Sequence, residues 1–377
     1  MSKISQKEIL IKNSVQKINL KGVVIRNKRD LTIFYTPGIA EICKQIAKNP
    51  ENVYKYTSKQ NMVAIVTDGT RILGLGKIGP FAGMPVMESK ALLFKKFADI
   101  TAVPICLATT DKEEIIKTIK AIEPSFGAIN LEDIESPKCL EIEEKLSVSL
   151  NIPIFHDDQY GTAIIVLAGL INGLKVTKKD KNAKICINGC GAAGVGIVKL
   201  LLAYGFKNIV VADSKGLIYN GRQNLNSIKQ KIAQITNPNK EKGNHIKASL
   251  SGADIFIGVS GIPNSITPEN IKKMGKNAIV FALTNPQQDI SFEYIKNCKN
   301  VLIYASGRSD LPNQINNAVV FPGFMKFLLK NHIKNITTKM MIQAAETIAK
   351  CVKNPTKNKI VPSAFSNVAK KITEIKA

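Results

Sequence analysis

The sequence predicts an α/β protein, a Rossmann-type doubly wound domain preceded by a smaller N-terminal α/β domain, and three observations carry that expectation. Gly189-Cys-Gly-Ala-Ala-Gly194 stands between an apolar run and a helical stretch, where a dinucleotide-binding turn belongs. Short apolar runs alternate with helical patterns along most of the chain, the rhythm of parallel βαβ units. The 377 residues leave room for two cores, since a domain takes roughly 100 to 200. The boundary is placed after His156-Asp-Asp158, giving domains 1–158 and 159–377, the second including closing C-terminal helices.

Taken in order, Arg29 to Ala40 reads as a turn entering a helix that stays amphipathic to Asn49-Pro50. Met62–Val66 and Ile72–Leu75 flank Thr67-Asp-Gly-Thr70 and are expected to pair as a hairpin, because Asp-Gly accepts positive φ. After the glycine-rich loop Gly74–Gly79, a helix is expected from Pro85 to Phe97. Val86, Leu93, Phe94 and Phe97 define its buried face, and Lys90 falls on that face too. Ala102–Ala108 reads as a strand, and Thr110-Asp-Lys-Glu113 as a capping box for a helix to Ile122. Phe126–Asn130 is a strand ending at Glu132-Asp133. Ser136-Pro137 is read as cap and first-turn proline of a helix to Leu150. Ile152–Phe155 is a strand running into His156-Asp157-Asp158. A right-handed crossover with parallel strands would bring both acidic pairs to one carboxyl edge.

An apolar helix follows from Gln159 to Leu174, then a polar linker (178–182) and a second βαβ unit over 184–213. Further strands at Asp254–Val259, Ala278–Leu283 and Val301–Tyr304 end in small or polar clusters, and helices at Asn316–Leu329 and Thr337–Cys351 close the chain.

Composition narrows the class. Hydrophobic residues at 45% and charged residues at 22%, with mean hydropathy near zero, fit a globular chain and exclude collagenous, mucin-like and disordered classes. Every apolar run breaks before membrane-spanning length, and the N-terminal residues lack the apolar core of a secretory signal. The seven cysteines are scattered without a CxxC, as expected of reduced packing residues in a cytoplasmic protein. The net charge of +24 invites a nucleic-acid reading, but only Arg26, Arg29, Arg71, Arg222 and Arg308 are arginines. Dispersed lysines make a solvated basic surface the better reading.

The chemistry-bearing residues start with the glycine turn. Gly189 permits the tight turn and Gly191 lets the amides around Ala192 and Ala193 approach a pyrophosphate. Gly194 allows close helix–sheet packing. Asp213, ending the next strand, suits a ribose hydroxyl and therefore NAD; Ser214 and Lys215 suit the 2′-phosphate of NADP, and the choice stays open. Glu132, Asp133, Asp157 and Asp158 form an oxygen-rich set suited to Mg²⁺ or Mn²⁺, with helix capping as the alternative, and His156 reads as a packing residue. Lys90 is either a general base whose pKa burial lowers or a lysine that snorkels to water. Tyr35 is a proton donor or a packed aromatic, and Arg71 a carboxylate clamp or a surface residue. Asn285 and Asn316-Asn317 are substrate-facing or turn residues.

Read together and in order, these segments resemble the short bacterial form of malic enzyme. The resemblance runs from RDLTIFYTPGIA through TDGTRILGLGKIGPFAGMPVMESKALLFKKF, INLEDI, IPIFHDDQYGTAI, INGCGAAG and ADSKG to LTNPQQDI and SGRSDLPNQINNAVVFPG. It implies an N-terminal substrate and metal domain, a homodimer or larger assembly, and oxidative decarboxylation of L-malate to pyruvate and CO₂ with reduction of NAD or NADP. It assigns Lys90 as general base and Tyr35 as general acid, Glu132, Asp133 and Asp158 as metal ligands, and Asp157 as a supporting carboxylate. Asn285, Asn317 and Arg71 become malate contacts, and Asn285 also neighbours the cofactor. Ser89, Tyr160, Cys190 and Gln288 depart from the family pattern. The end of the chain soon after IVPSAF argues against the allosteric control of longer members. Two rivals are a malolactic enzyme that releases lactate and a non-catalytic nucleic-acid or partner-binding protein.

Overall fold

The computed structural model describes residues 24–285 and 287–376; the N-terminal segment weighed above as a targeting signal, and Pro286, lie outside them. Asn27 accepts a hydrogen bond from Asp30 N and starts a helix at once, Lys28–Phe34 (α1), so the expected turn comes later, ahead of Ile39–Lys48 (α2). Met62–Thr67 (β1) is the first strand. The expected hairpin after it does not form. β1 pairs in parallel on both sides, which leaves no open edge for Ile72–Leu75. Asp68 instead accepts from Thr70 N and Oγ1, and Ile72–Gly74 makes a single 3₁₀ turn.

The helix Pro80–Ala98 (α3) starts a turn earlier than expected because Pro80 occupies its first turn, and its buried face is Met87, Lys90, Ala91 and Phe94 rather than Val86 and Leu93. Thr101–Cys106 (β2) leads to Lys112–Ile122 (α4), which Asp111 caps in place of Thr110 by accepting from Glu114 N. Ala128–Leu131 (β3), Lys138–Ser149 (α5) and Ile154–His156 (β4) follow. Pro137 itself takes the N-cap position of α5, so Ser136 is not the cap. The first sheet has order β2-β1-β3-β4, all parallel.

Asp157–Thr177 (α6) joins the two sheets. By length and composition it could cross a membrane, contrary to the expectation that every apolar run stops short, yet 67% of its apolar window is buried inside the protein. A Cβ on Gly169 would lie 2.7 Å from Ile315 Cδ1, so close packing on the second sheet is what its small residues provide.

That sheet comprises Ile185–Asn188 (β5), Ile209–Asp213 (β6), Gly216–Leu217 (β7), Ile255–Gly258 (β8), Ala278–Ala282 (β9) and Val301–Ser306 (β10) in the order β10-β9-β8-β5-β6-β7. Only β7 is antiparallel. Strand order reverses at β5, so the turn into Ala192–Tyr204 (α7) opens at the switch point where doubly wound sheets bind nucleotides. The chain then returns: Phe321–Lys330 (α8) packs on α3, with the Phe94 and Phe321 rings 4.7 Å apart edge to face. The closing helices thus cover the first sheet as well as the second, and one apolar core runs through both.

Candidate active site

Two carboxyl edges, one from each sheet, carry the candidate residues. At the first, β3 and β4 are neighbours with Leu131 opposite His156, so Glu132-Asp133 and Asp157-Asp158 leave the sheet side by side. Carboxylate oxygens of Glu132, Asp133 and Asp158 lie within 4.8 Å of one another. Lys90 enters from α3, its Nζ 2.6 Å from Glu132 Oε2, hydrogen-bonded to Asp157 and 4.3 Å above the centre of the Phe321 ring. Asn317 donates to the same Asp157 oxygen, and Asn130 Nδ2 donates to Glu132 Oε2 at 2.9 Å.

Charge in this pocket is poorly compensated. Burial pushes the Glu132 carboxyl well above its usual range; Lys90 opposes that, and the Asp157, Asp158 and Asp133 charges add to it. Asp133 is pushed up to about 7, mainly by burial and then by Asp158. Burial also raises Asp157 against the pull of Lys90, and lowers His156 against Asp158. Burial alone would lower Lys90, as expected from the sequence, but the charges and hydrogen bonds of Asp157 and Glu132 outweigh it and hold the ammonium above its ordinary pKa. Among the described residues, Asp133 Oδ2, Asp157 Oδ1 and His156 Nε2 are buried without a hydrogen-bond partner. An all-oxygen cluster of Glu132, Asp133 and Asp158, with Asp133 Oδ2 lacking a partner, has the chemistry that suits a hard dication such as Mg²⁺ or Mn²⁺.

The second edge is backbone rather than side chain. Gly189 has φ 121°, and a Cβ there would sit 2.6 Å from the Val259 carbonyl carbon; one on Gly194 would sit 1.9 Å from Gly189 O. These two glycines are demanded by the turn and by the packing of α7. Gly191 is different, since its Cβ position meets only Arg71 Nη1 at 3.6 Å. Gly191 lines a cavity, and Ala192 and Ala193 are the first residues of α7, directly after it in the chain. Arg71 ties the edges together: its backbone N donates to Asp133 O at 3.1 Å while its guanidinium lies beside Gly191 and Gly261. The cavity, of about 700 Å³, opens at the glycine edge, lined by Gly189, Asp213 and Lys229 and, from the first sheet's side, by Arg71, Glu135 and Pro137; Lys90 and the acidic cluster do not line it.

The remaining predicted residues divide. Asn317 joins the acidic cluster through Asp157, and Asn285 is exposed beside Gly307. Ser214 lines the cavity, while Lys215 is exposed and gives its backbone N–H to Asp213. Tyr35 is 65% exposed, and no hydrogen bond links its hydroxyl to any described residue. Of the departures, Ser89 turns away and donates to Pro85 O, and Cys190 lines the cavity with its thiol pushed up to about 12 by burial. Sequence reasoning missed Asn130, Phe321, Arg222 and Lys229. Arg222 could have been singled out as a rare arginine; Lys229 gives no signal among so many lysines.

A family model of the malic enzyme N-terminal domain matches residues 13–147, and a model of the malic enzyme NAD binding domain matches residues 159–375. The chain belongs to the malic enzyme family. It is 47% identical over 348 residues to the NAD-dependent malic enzyme of Geobacillus stearothermophilus, covering 92% of this chain and 72% of that protein. It is 46% identical over 347 residues to the bifunctional malic/malolactic enzyme of Bacillus subtilis, covering 91% and 84%. Its fold superposes on the crystal structure of the NAD-dependent malic enzyme of Thermotoga maritima with a TM-score of 0.91 at 44% identity, over 99% of this chain and all of that one. Membership in the malic enzyme family accords with a fold that sets an acidic edge opposite a dinucleotide turn.

Proposed function

We propose that the protein oxidises L-malate with a nicotinamide dinucleotide and decarboxylates it to pyruvate and CO₂. The observation that carries this reading is Lys90, buried and joined to Glu132 and Asp157 at an acidic edge that Arg71 connects to the glycine turn. Lys90 is the group placed to take the C2 hydroxyl proton, and Asp157 positions it while receiving Asn317 on the same oxygen. Held between two carboxylates Lys90 stays charged; burial favours the neutral amine, and any loss of the Glu132 contact weakens the opposition to it while Asp157 still holds the ammonium. Arg71 is placed to pair with a substrate carboxylate, and Asn317 and Asn285 to orient the hydroxy acid.

Glu132, Asp133 and Asp158 would hold Mg²⁺ or Mn²⁺, which supplies Lewis-acid polarisation of substrate oxygens and charge stabilisation when bound. Gly189, Gly191, Ala192, Ala193 and Gly194 would carry the pyrophosphate, with Asp213, Ser214 and Lys215 near the adenosine ribose; of these, Gly189, Gly191, Asp213 and Ser214 line the cavity. Tyr35 gives a proton to C3 after CO₂ leaves, which requires its arm to lie over a pocket. That arm exposes Leu31, Ile33, Phe34 and Ile39 by 41–50%, an apolar face that assembly into a homodimer or larger oligomer would cover.

The test is stoichiometry. With malate, Mn²⁺ and either dinucleotide, one pyruvate and one reduced nicotinamide should appear per malate consumed, and neither should appear in chelator. The malolactic reading, favoured by the bifunctional Bacillus subtilis relative, predicts lactate with no net reduced dinucleotide. Absence of any malate turnover, with steeply salt-dependent binding to DNA, would support the non-catalytic reading.

A further inference from the structure

We propose that the adenosine end of the cavity is built for a 2′-phosphate, with Lys229 its specificity-determining contact and Asp213 a positioning residue rather than the acceptor of a ribose hydroxyl. The inference rests on the dinucleotide-dependent reading above and decides which dinucleotide is used.

The argument begins with the capacity of one carboxylate. Asp213 ends β6, where a carboxylate reading a 2′-hydroxyl would stand. Here its Oδ1 accepts from Lys215 N at 2.9 Å and Arg222 Nη1 at 2.9 Å, and its Oδ2 from Arg222 Nη2 at 2.7 Å and Lys229 Nζ at 2.6 Å. A carboxylate offers about four lone-pair sites, so no acceptor site is left for a sugar hydroxyl.

The charges point the same way. One carboxylate faces two cations, leaving a net positive cluster whose side chains are only 6–25% exposed. Arg222 is the framework of that cluster: besides clamping Asp213 through both terminal nitrogens, it donates to Gly216 O and Leu217 O, and it does not line the cavity. Lys229 does line it, and only one of its three ammonium protons is given to Asp213. Ser214 and Lys247 line the same cavity. Apart from Asp213, the only acidic side chain lining this cavity among the described residues is Glu135, which comes from the first domain. A dianionic phosphate therefore finds free donors and uncompensated positive charge where a neutral hydroxyl finds a filled acceptor.

Calorimetry with 2′,5′-ADP and 5′-AMP on the full-length protein tests this without malate or metal. Its outcome is therefore independent of whether malate is turned over. We expect 2′,5′-ADP to bind at least about tenfold more tightly than 5′-AMP, the scale of one charge-assisted contact, with the margin shrinking as salt rises. Lys229→Met should bring the two affinities together from both directions, since it removes the cation and frees an Asp213 lone pair; Lys229→Arg should keep the preference. The proposal is overturned if the wild type binds 5′-AMP as tightly as 2′,5′-ADP, or if a folded Lys229→Met protein, checked by its melting curve, keeps the preference. Malate turnover that succeeds with NAD but not NADP would overturn it while leaving the activity intact.

Discussion

The acidic edge and the glycine edge use opposite means to stay open to a ligand. At the first, identity resides in side chains: four carboxylates gather around one lysine, and Asp133 and Asp157 each keep a buried oxygen without a hydrogen-bond partner, so like charges are held together against their repulsion. At the second it resides in the missing side chain of Gly191, and the one carboxylate present is fully occupied. The contrast teaches that conservative side-chain changes should be severe at the first edge, whereas at the second the severe change is the addition of a methyl group.

The largest effect is expected at Lys90. Lys90→Ala should lower kcat for malate by about a thousandfold or more, the scale of losing a positioned base, while dinucleotide affinity measured by calorimetry persists. Unchanged turnover would show that the acidic edge works without its lysine and would dissolve the comparison.

Next comes Asp133→Asn, which nearly preserves shape while removing one ligand charge. Titration with Mn²⁺ should show affinity weakened by about a hundredfold, since ligand charge sets the affinity of such sites. The metal-free protein should melt at a higher temperature than the wild type, because a buried carboxylate repelled by Asp158 has gone. A lower melting temperature would mean that the pocket carries no such stress.

The glycine edge separates its two roles by alanine substitution. Gly189→Ala places a Cβ against the Val259 backbone at positive φ and should cost about 1–3 kcal/mol of stability by denaturant unfolding. Gly191→Ala meets no such obstacle, so the fold should persist while dinucleotide affinity falls about tenfold as the pyrophosphate is held off. Equal losses of stability would erase the distinction between turn and opening.

Legibility in the sequence follows the same divide. Backbone-encoded features were readable: the GxGxxG turn, the acid pairs at two strand ends and the parallel crossover between them, because each depends on local spacing and chain handedness. Features depending on a distant neighbour were not. Nothing near Asp213 in the chain says that Arg222 and Lys229 fold back to saturate it. Nothing near Lys90 says that Asp157 and Glu132 will reverse the direction in which burial alone would move it. The Asp68-Gly69 turn misled because a hairpin needs a free edge, and only the sheet order shows that β1 has none.

The smallest effect lies outside both edges, at Glu143 of α5, which lines a separate cavity with Tyr160 and Lys199. Tyr160, one of the departures from the family pattern, donates its hydroxyl to Glu143 Oε1 at 2.6 Å. Burial raises the Glu143 pKa, only partly opposed by that hydrogen bond and by Lys199. The sign follows from linkage: a carboxyl that binds its proton more tightly when folded contributes stability in full below its ordinary pKa near 4.5, and that contribution is lost as pH rises through the folded value. At neutral pH the ionised Glu143 is thus a net cost, and Glu143→Gln keeps an acceptor for Tyr160 without the charge. Its melting temperature should exceed that of the wild type by about 1–3 °C at pH 8, a gain that disappears toward pH 4. A gain that persists undiminished into acid would come from packing rather than ionisation, and would leave the acidic edge as the place where buried charge is held against stability.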